Sequence, residues 1–303
     1  MTLDPVAKAI LDLLAESGAP PLSEQTPSEA RAAYEATRSL NPNEGAEVAS
    51  IVDLELASVP CRVVTPLEVD RTGALVFLHG GGWVLGTMEL YTPVVRDLAA
   101  AARCPVIAVD YRLAPEHRFP SAVEDCLAVL DALQAGALPA IDGRHLVVAG
   151  DSAGGNLAAI CAFERPQLAA SALIYPVTDA ERALPSYTSM GEGYFLTADA
   201  MDWFYDHYAP GVDPRNPLLS PLHASDEQLA GVPRTLVLVA DYDPLADEGL
   251  AYAARLAGLG VPVEVTRYEH QMHGFFTMSP FIADAARAIS QVAGLTSEAL
   301  PPR

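Results

Sequence analysis

Short apolar runs alternate with amphipathic stretches from about residue 48 to the end of the chain. Eight runs rich in apolar and β-branched residues predict strands: Val48–Ala57, Arg62–Thr65, Ala74–Leu78, Pro105–Asp110, His145–Ala149, Ala172–Tyr175, Thr235–Ala240 and Val263–Tyr268. Five segments between them have helical periodicity: Pro93–Arg103, Ser121–Gln134, Ala153–Phe163, Asp247–Leu259 and Pro280–Val292. This alternation predicts an α/β fold whose right-handed crossovers build a mostly parallel, eight-stranded sheet.

The strand runs also predict how the sheet is covered. The segment Leu236–Val239 is apolar without interruption, which is typical of a strand buried by helices on both faces. We therefore expect a three-layer sandwich. Only a few residues separate the first two strands, so these predict an antiparallel hairpin at one edge of the sheet.

Two segments do not follow the alternation of strands and helices. Residues 1–45 contain two amphipathic helical stretches, Asp4–Ser17 and Ser28–Leu40, and residues 180–229 form an insertion between two strands. An insertion of this length in a compact fold is usually a lid or a binding element. We expect one domain over residues 1–303, with a helical cap formed by about 1–45 and 180–229.

The charge of the chain limits its partners. The sequence has 39 acidic and 18 basic residues, a formal net charge of −21. Nucleic acids and anionic membrane surfaces would repel such a protein, so we expect neither as a partner. No run reaches the roughly 18 apolar residues of a membrane span, and residues 1–20 lack the features of a signal peptide. We expect a cytoplasmic protein with a loose tail, Thr296–Arg303.

The cysteines predict neither a metal site nor a disulfide. They lie far apart in apolar surroundings, without the C-x-x-C spacing of zinc or redox motifs. We expect four buried free thiols: Cys61, Cys104, Cys126 and Cys161.

One glycine-rich motif has a strong chemical meaning in its context. Gly150–Gly154 has the pattern G-x-S-x-G, follows the predicted strand His145–Ala149 and opens the helical stretch Ala153–Phe163. A serine at such a strand–turn–helix junction stands exposed at the tip of the strand, as in a nucleophile elbow. Ser152 is therefore the predicted nucleophile.

A serine hydroxyl needs a base and an orienting acid to react at neutral pH, and two later loops offer both. The strand Thr235–Ala240 is followed by Asp241 and Asp243, of which Asp243, before a proline, is the favoured acid. Asp241 is better placed to accept hydrogen bonds from backbone amides. After the strand Val263–Tyr268, His273 is favoured over His270 as the base, because His273 precedes a glycine.

A second glycine-rich segment predicts anion stabilisation. The run His79–Trp83 contains three consecutive glycines between a strand and a helix, which leaves backbone N–H groups uncovered. Together with the N–H of Ala153, they would form an oxyanion hole. A phosphate-binding loop is the alternative, but the lysine of a P-loop is missing.

These motifs together resemble the hormone-sensitive-lipase family of α/β-hydrolase esterases, the bacterial family IV. The resemblance extends from about Ala74 to Phe276. It rests on six segments in one order: His79–Trp83, Asp110–Pro120, Gly150–Asn156, Asp243–Leu245, Asp247–Gly249 and His273–Phe275. It implies the α/β-hydrolase fold, no cofactor and no metal.

The resemblance also implies a role for each site residue. Ser152 would be the nucleophile, His273 the general base and Asp243 its orienting acid. The oxyanion donors would be the amides of Gly81, Gly82 and Ala153. The loop that contains His79–Trp83 is called the oxyanion loop below. The segment Asp110–Pro120 would support this loop through a buried network of its charged side chains Arg112, Glu116 and Arg118. Candidates for contact with the substrate are the aromatic residues Trp83, Tyr34, Phe195 and Tyr208.

The function expected from these residues is a serine carboxylesterase acting on short- to medium-chain acyl esters of small molecules. An amide or N-acyl hydrolase could use the same triad. A non-catalytic ligand-binding protein is a further alternative, although its known examples in this superfamily lack the histidine that is present here as His273. The resemblance also implies a homodimer through the segments Val263–Tyr268 and Pro280–Val292.

Overall fold

The computed structural model describes residues 2–39 and 41–303. Met1, the first residue of the expected cap, and Leu40, the last residue of the second predicted helix, lie outside the described residues. The described strands form a single sheet and have these bounds: β1 Val48–Leu56, β2 Val59–Pro66, β3 Ala74–Leu78, β4 Val106–Val109, β5 Leu146–Asp151, β6 Ala170–Ile174, β7 Thr235–Tyr242 and β8 Val263–Met272.

The strand order in the sheet is β1-β2-β4-β3-β5-β6-β7-β8. β1 pairs with β2, and β2 with β4, in antiparallel orientation, whereas every other pair is parallel. The predicted edge hairpin and the mostly parallel sheet are therefore confirmed. Because β3, β5, β7 and β8 run in the same direction, the loops that follow them emerge at one edge of the sheet.

The α-helices of the described residues have these bounds: α1 Pro5–Glu16, α2 Pro27–Arg38, α3 Met88–Ala102, α4 Ser121–Gln134, α5 Ala153–Glu164, α6 Pro185–Ser189, α7 Ala198–Tyr208, α8 Asp226–Ala230, α9 Ala246–Gly258 and α10 Ala283–Ala299. None of them is long and apolar enough to cross a lipid bilayer.

Two apolar cores lie on opposite faces of the sheet. One contains side chains of α4, α5 and α9, and the other contains side chains of α3 and α10. Alternate residues of the central strands point into the two cores, so that Val148 belongs to the first and Val147 to the second. The chain thus has the α/β-hydrolase fold, a three-layer sandwich.

The two largest differences from the expected boundaries are at the start of α3 and at the end of α10. α3 begins at Met88, five residues before the predicted start at Pro93, because the Thr87 side chain accepts a hydrogen bond from the N–H of Leu90 and caps the helix. The expected loose tail was wrong. α10 continues to Ala299, and the N–H of Thr72 then donates to the carbonyl of Pro301 at 2.8 Å.

The two segments outside the alternation contact each other and the side of the sheet where the loops after β3, β5, β7 and β8 emerge. The indole N–H of Trp203 in α7 donates to the carbonyl of Gln25, just before α2, at 3.0 Å. At the start of α1, the N–H of Asp4 donates to the carbonyl of His270 at 2.8 Å. Helices from both segments therefore lie over the carboxyl ends of the strands.

Candidate active site

Ser152 lies at a sharp turn between β5 and α5. Its backbone has φ 57° and ψ −118°, a region that a residue with a side chain rarely adopts and that the surrounding contacts must stabilise. The N–H of Ser152 donates to the carbonyl of Ile174 at 2.8 Å. Gly154 lies so close to the carbonyl of Leu78 that a Cβ atom there would overlap it. The elbow is thus held tightly against the ends of β3 and β6.

Ser152, His273 and Asp243 form a continuous hydrogen-bonded chain. His273 Nε2 lies 2.9 Å from Ser152 Oγ, and His273 Nδ1 lies 2.6 Å from Asp243 Oδ2. Asp243 is fully buried, and its Oδ1 accepts the N–H of Leu245 at 2.9 Å. With a proton on Nδ1 that is donated to Asp243, Nε2 is free to accept the serine proton.

The neighbouring candidates Asp241 and His270 lie near the ends of β7 and β8 and have other partners. Asp241 accepts two hydrogen bonds from the guanidinium of Arg267, both at 3.0 Å, rather than from backbone amides as expected. His270 Nδ1 lies 2.9 Å from the carbonyl of Thr2. Neither side chain bonds to Ser152.

The oxyanion hole is predicted to consist of three backbone amides. Within the described parts of the chain, the N–H groups of Gly81, Gly82 and Ala153 donate to no other protein group. Ala153 is the first residue of α5, so its amide lies at the positive end of the helix dipole. Gly82 has φ 59°, and the ring of Phe204 occupies the space that a Cβ would need. Phe204 thus forms a wall beside this amide.

The carboxylate of Asp151 links the elbow to the oxyanion loop, a contact that the motifs did not predict. Its Oδ1 accepts the N–H of Gly80 at 2.8 Å, and its Oδ2 lies 3.2 Å from the hydroxyl of Tyr91 and 3.4 Å from that of Tyr175. Burial raises the pKa of the Asp151 carboxyl, while the positive charges of Arg38 and His273 partly oppose this shift.

The four aromatic candidates have different environments. Trp83 and Tyr208 are fully buried and stack on each other with ring centroids 4.5 Å apart, so they form core rather than an open pocket wall. Phe195 is 36% exposed and contacts Gly274, next to His273. Tyr34 lies at a cavity of about 340 Å³, together with Arg31, Glu35, Gly86, Thr87, Leu113, Glu116 and His117.

The expected buried network of Arg112, Glu116 and Arg118 was wrong, because all three residues are exposed. Arg112 instead pairs with Asp125 of α4. Glu116 pairs with Arg31 of α2 at 2.6 Å, and this guanidinium lowers the pKa of Glu116 to about 2. Arg112 and Glu116 therefore bind α4 and α2 at the surface, where water solvates the charged groups.

Arg31 connects α2 to the oxyanion loop. Besides Glu116, its guanidinium donates to the carbonyl of Val84 at 2.9 Å and to that of Ala114 at 2.8 Å. Val84 follows Gly82 by two residues. The sequence offered no signal for this contact, because the partners are more than 50 residues apart.

The remaining candidates for metal or redox chemistry lie away from Ser152. All four cysteines are buried free thiols, as expected, and burial raises the pKa of Cys61 and Cys104 to about 12. Ligand atoms of Asp179, Glu181 and His223 lie within 4.8 Å of one another. His223 Nε2 lies 3.0 Å from Asp179 and 3.3 Å from Glu181, so that polar contacts among the three side chains account for this cluster.

Comparison with known proteins shows the family to which the chain belongs. A protein-family model with the description "alpha/beta hydrolase fold" matches residues 75–277. An ethyl acetate hydrolase of Pseudomonas putida is 38% identical over 96% of this chain and 98% of its own length. A carboxylesterase of Mycobacterium tuberculosis is 37% identical over 77% of this chain and 76% of its own length.

A solved structure extends the similarity to three dimensions. An ester hydrolase from the metagenome of Lake Arreo superimposes with a TM-score of 0.92 at 34% identity, covering 98% of this chain and 99% of that one. The chain belongs to the hormone-sensitive-lipase family of α/β hydrolases and is a carboxylic ester hydrolase.

Proposed function

We propose that this protein is a serine carboxylesterase that hydrolyses short- to medium-chain acyl esters through the triad Ser152, His273 and Asp243. The observation that carries the proposal is the hydrogen-bonded chain from Ser152 Oγ through the imidazole to the buried carboxylate. The identified relatives, an ethyl acetate hydrolase among them, support an ester as the substrate.

In this proposal the reaction has two halves. Ser152 Oγ attacks the ester carbonyl carbon while His273 Nε2 takes the hydroxyl proton, and Asp243 stabilises the resulting imidazolium. His273 returns the proton to the departing alkoxide, which leaves the acyl group on Ser152. A water molecule then attacks the acyl-enzyme with His273 again as the base, and release of the acid restores the free serine.

The oxyanion of each tetrahedral intermediate would be stabilised by the amides of Gly81, Gly82 and Ala153. These three N–H groups have no acceptor within the described residues, so they are available to a ligand. A fixed donor of this kind is typically worth about 3–4 kcal/mol in the transition state. No metal or organic cofactor has a step in this mechanism.

We also propose one domain over residues 1–303, in which about 1–45 and 180–229 form a cap over the site. The bond from Trp203 to Gln25 joins the two segments, and Phe204 lies directly against Gly82. Because a bulky ring confines the space beside the oxyanion amides, long acyl chains should fit poorly. This supports the preference for short and medium chains.

The test is hydrolysis of p-nitrophenyl esters from acetate to palmitate by the wild type and by Ser152→Ala. We expect activity that falls with chain length and that is absent in the variant. Circular dichroism of both proteins checks that the variant is folded. Activity that is equal in Ser152→Ala, or that exists only on amide substrates, would refute the proposal.

We further infer a homodimer formed through β8 and α10. β8 is the last strand of the sheet, and its outer edge has no partner strand within the described residues. Val265 at this edge is 42% exposed, although it is apolar. A second copy of the chain could pair with this edge and cover it.

A further inference from the structure

Asp151 directly precedes Ser152 and forms several hydrogen bonds beside the proposed triad, although it has no step in the mechanism above. It is 3% exposed, so its carboxylate must find its hydrogen-bond donors within the protein. The donors come from three different elements: Gly80 in the oxyanion loop, Tyr91 in α3 and Tyr175 at the end of β6.

The bond to Gly80 is the shortest of the three, at 2.8 Å between Oδ1 and the backbone nitrogen. Within the described residues this amide has no other acceptor. Gly80 directly precedes Gly81 and Gly82, whose N–H groups are the proposed oxyanion donors. A rotation of the peptide at Gly80 would therefore turn these amides away from the oxyanion.

The other carboxylate oxygen reaches the histidine side of the site through an aromatic ring. The Tyr175 hydroxyl lies 3.4 Å from Oδ2, and the Tyr175 ring packs against the imidazole of His273 with centroids 4.5 Å apart. The Tyr91 hydroxyl lies 3.2 Å from the same oxygen. The guanidinium of Arg38, from α2, lies 5.0 Å from the centroid of the Tyr91 ring, a distance typical of a cation–π contact.

We propose that Asp151 is a positioning residue whose Oδ1 holds the Gly80 amide and thereby fixes the oxyanion donors Gly81 and Gly82 relative to Ser152. Asp151 directly precedes the nucleophile Ser152 in the chain. Its bond to Gly80 would therefore fix the distance between the nucleophile and the oxyanion hole. The role needs a side chain of this length with an oxygen that accepts a hydrogen bond, and it does not require a negative charge. The inference deepens the proposed function and rests on it.

The test compares Asp151→Ala with Asp151→Asn in hydrolysis of p-nitrophenyl acetate. The alanine variant lacks the acceptor, and we expect its kcat to fall about 30-fold or more while KM changes less than about threefold, because oxyanion contacts act mainly in the transition state. The asparagine variant keeps a carbonyl oxygen at the same distance, and its kcat should stay within about fivefold of the wild type.

Amide hydrogen exchange of the peptide that contains residues 79–86 gives a second readout without substrate. Exchange should be faster in Asp151→Ala and unchanged in Asp151→Asn. If the alanine variant does not fold, Asp151→Ser, whose oxygen is one bond shorter and does not reach Gly80, replaces it.

Two results would overturn the proposal: a kcat of Asp151→Ala within threefold of the wild type, or equal impairment of the alanine and asparagine variants. Ser152→Ala in the same assay shows whether hydrolysis depends on Ser152, and so tests the proposed function independently of the role of Asp151. If hydrolysis by the wild type does not depend on Ser152, the exchange measurement alone decides whether Asp151 holds the loop.

Discussion

Asp241 and Asp243 lie two residues apart at the end of β7, yet they have opposite environments. Asp243 is fully buried against His273, whereas Asp241 forms an ion pair with the half-exposed Arg267. A buried carboxylate beside an imidazole selects its tautomer and stabilises its protonated form. An ion pair near the surface contributes little, since water screens it. The two residues are a matched pair for a test.

We expect Asp243→Asn to lower kcat for p-nitrophenyl acetate by roughly 10³- to 10⁴-fold, because an amide at this position favours the wrong imidazole tautomer. Asp241→Asn should leave kcat within about twofold of the wild type. Steady-state kinetics of the two purified variants is the measurement. Equal losses in both would mean that the assignment of the acid is wrong.

Glu248 is a second fully buried carboxylate, and it lies in the helix that follows Asp243. Its Oε1 accepts the N–H of Thr178 at 2.6 Å, and burial raises its pKa well above the ordinary value of a glutamate. The folded state therefore binds the Glu248 proton more tightly than the unfolded state. Its contribution to stability is full below the unfolded pKa, near 4.5, and decreases as the pH rises toward the folded pKa.

Glu248→Gln should remove this dependence, because glutamine keeps the acceptor for Thr178 but carries no proton equilibrium. We expect the free energy of unfolding of the variant, relative to the wild type, to increase between about pH 5 and pH 8 by roughly 1 kcal/mol or more. Urea unfolding at several pH values is the measurement. A constant difference across this range would contradict the prediction.

At the scale of elements, one side chain near the start of α2 bonds this helix to two backbone carbonyls near the proposed active site. Arg31 donates to two backbone carbonyls, Val84 and Ala114, as well as to the exposed Glu116. The carbonyls belong to the oxyanion loop and to the segment beside it. Hydrogen bonds from a charged donor to partly buried carbonyls are worth more than a surface ion pair.

Arg31→Ala should therefore destabilise the protein by about 1–2 kcal/mol, whereas Glu116→Gln, which keeps both carbonyl bonds, should cost less than about 0.5 kcal/mol. The kcat of Arg31→Ala should also fall several-fold, because Val84 is two residues from Gly82. Urea unfolding and ester hydrolysis measure the two effects. A variant of Glu116 as unstable as that of Arg31 would show that the ion pair holds the helix.

The strands could be predicted from the sequence because the central strands are mostly apolar runs; Ala74–Leu78 has its predicted bounds. The proposed triad residues could be predicted from motifs, because each follows a strand in a fixed order, and they lie in one hydrogen-bonded chain. The contacts that hold the site together could not be predicted. Phe204 against Gly82, Asp151 on Gly80 and Arg31 on Val84 join distant segments whose arrangement depends on the whole fold.

At the scale of the whole molecule, the proposed dimer would bring together two chains that each carry a net charge of −21. Their repulsion opposes association, so burial of the apolar part of β8 must exceed it. Val265→Glu adds a further negative charge at that edge. We expect light scattering to give about twice 32.0 kDa for the wild type and the mass of one chain for the variant.

Salt provides the matching control. Raising the ionic strength screens the repulsion and should strengthen association of the wild type. A wild-type protein that stays monomeric at high salt and micromolar concentration would refute the dimer. Because Val265 is far along the edge strand from His273, the kcat of Val265→Glu should be unchanged.

Thr2 and Arg303, the first and last described residues, lie near opposite ends of the strands. Thr2 and Asp4 are bonded to His270, three residues before the proposed base, whereas Arg303 donates to Asp70, before the amino end of β3. If the protein were immobilised on a solid support, the access of substrate to the proposed site would depend on which end is attached. Attachment near Arg303 would leave the proposed cap facing the solution, and attachment near Thr2 would turn the proposed active site toward the support.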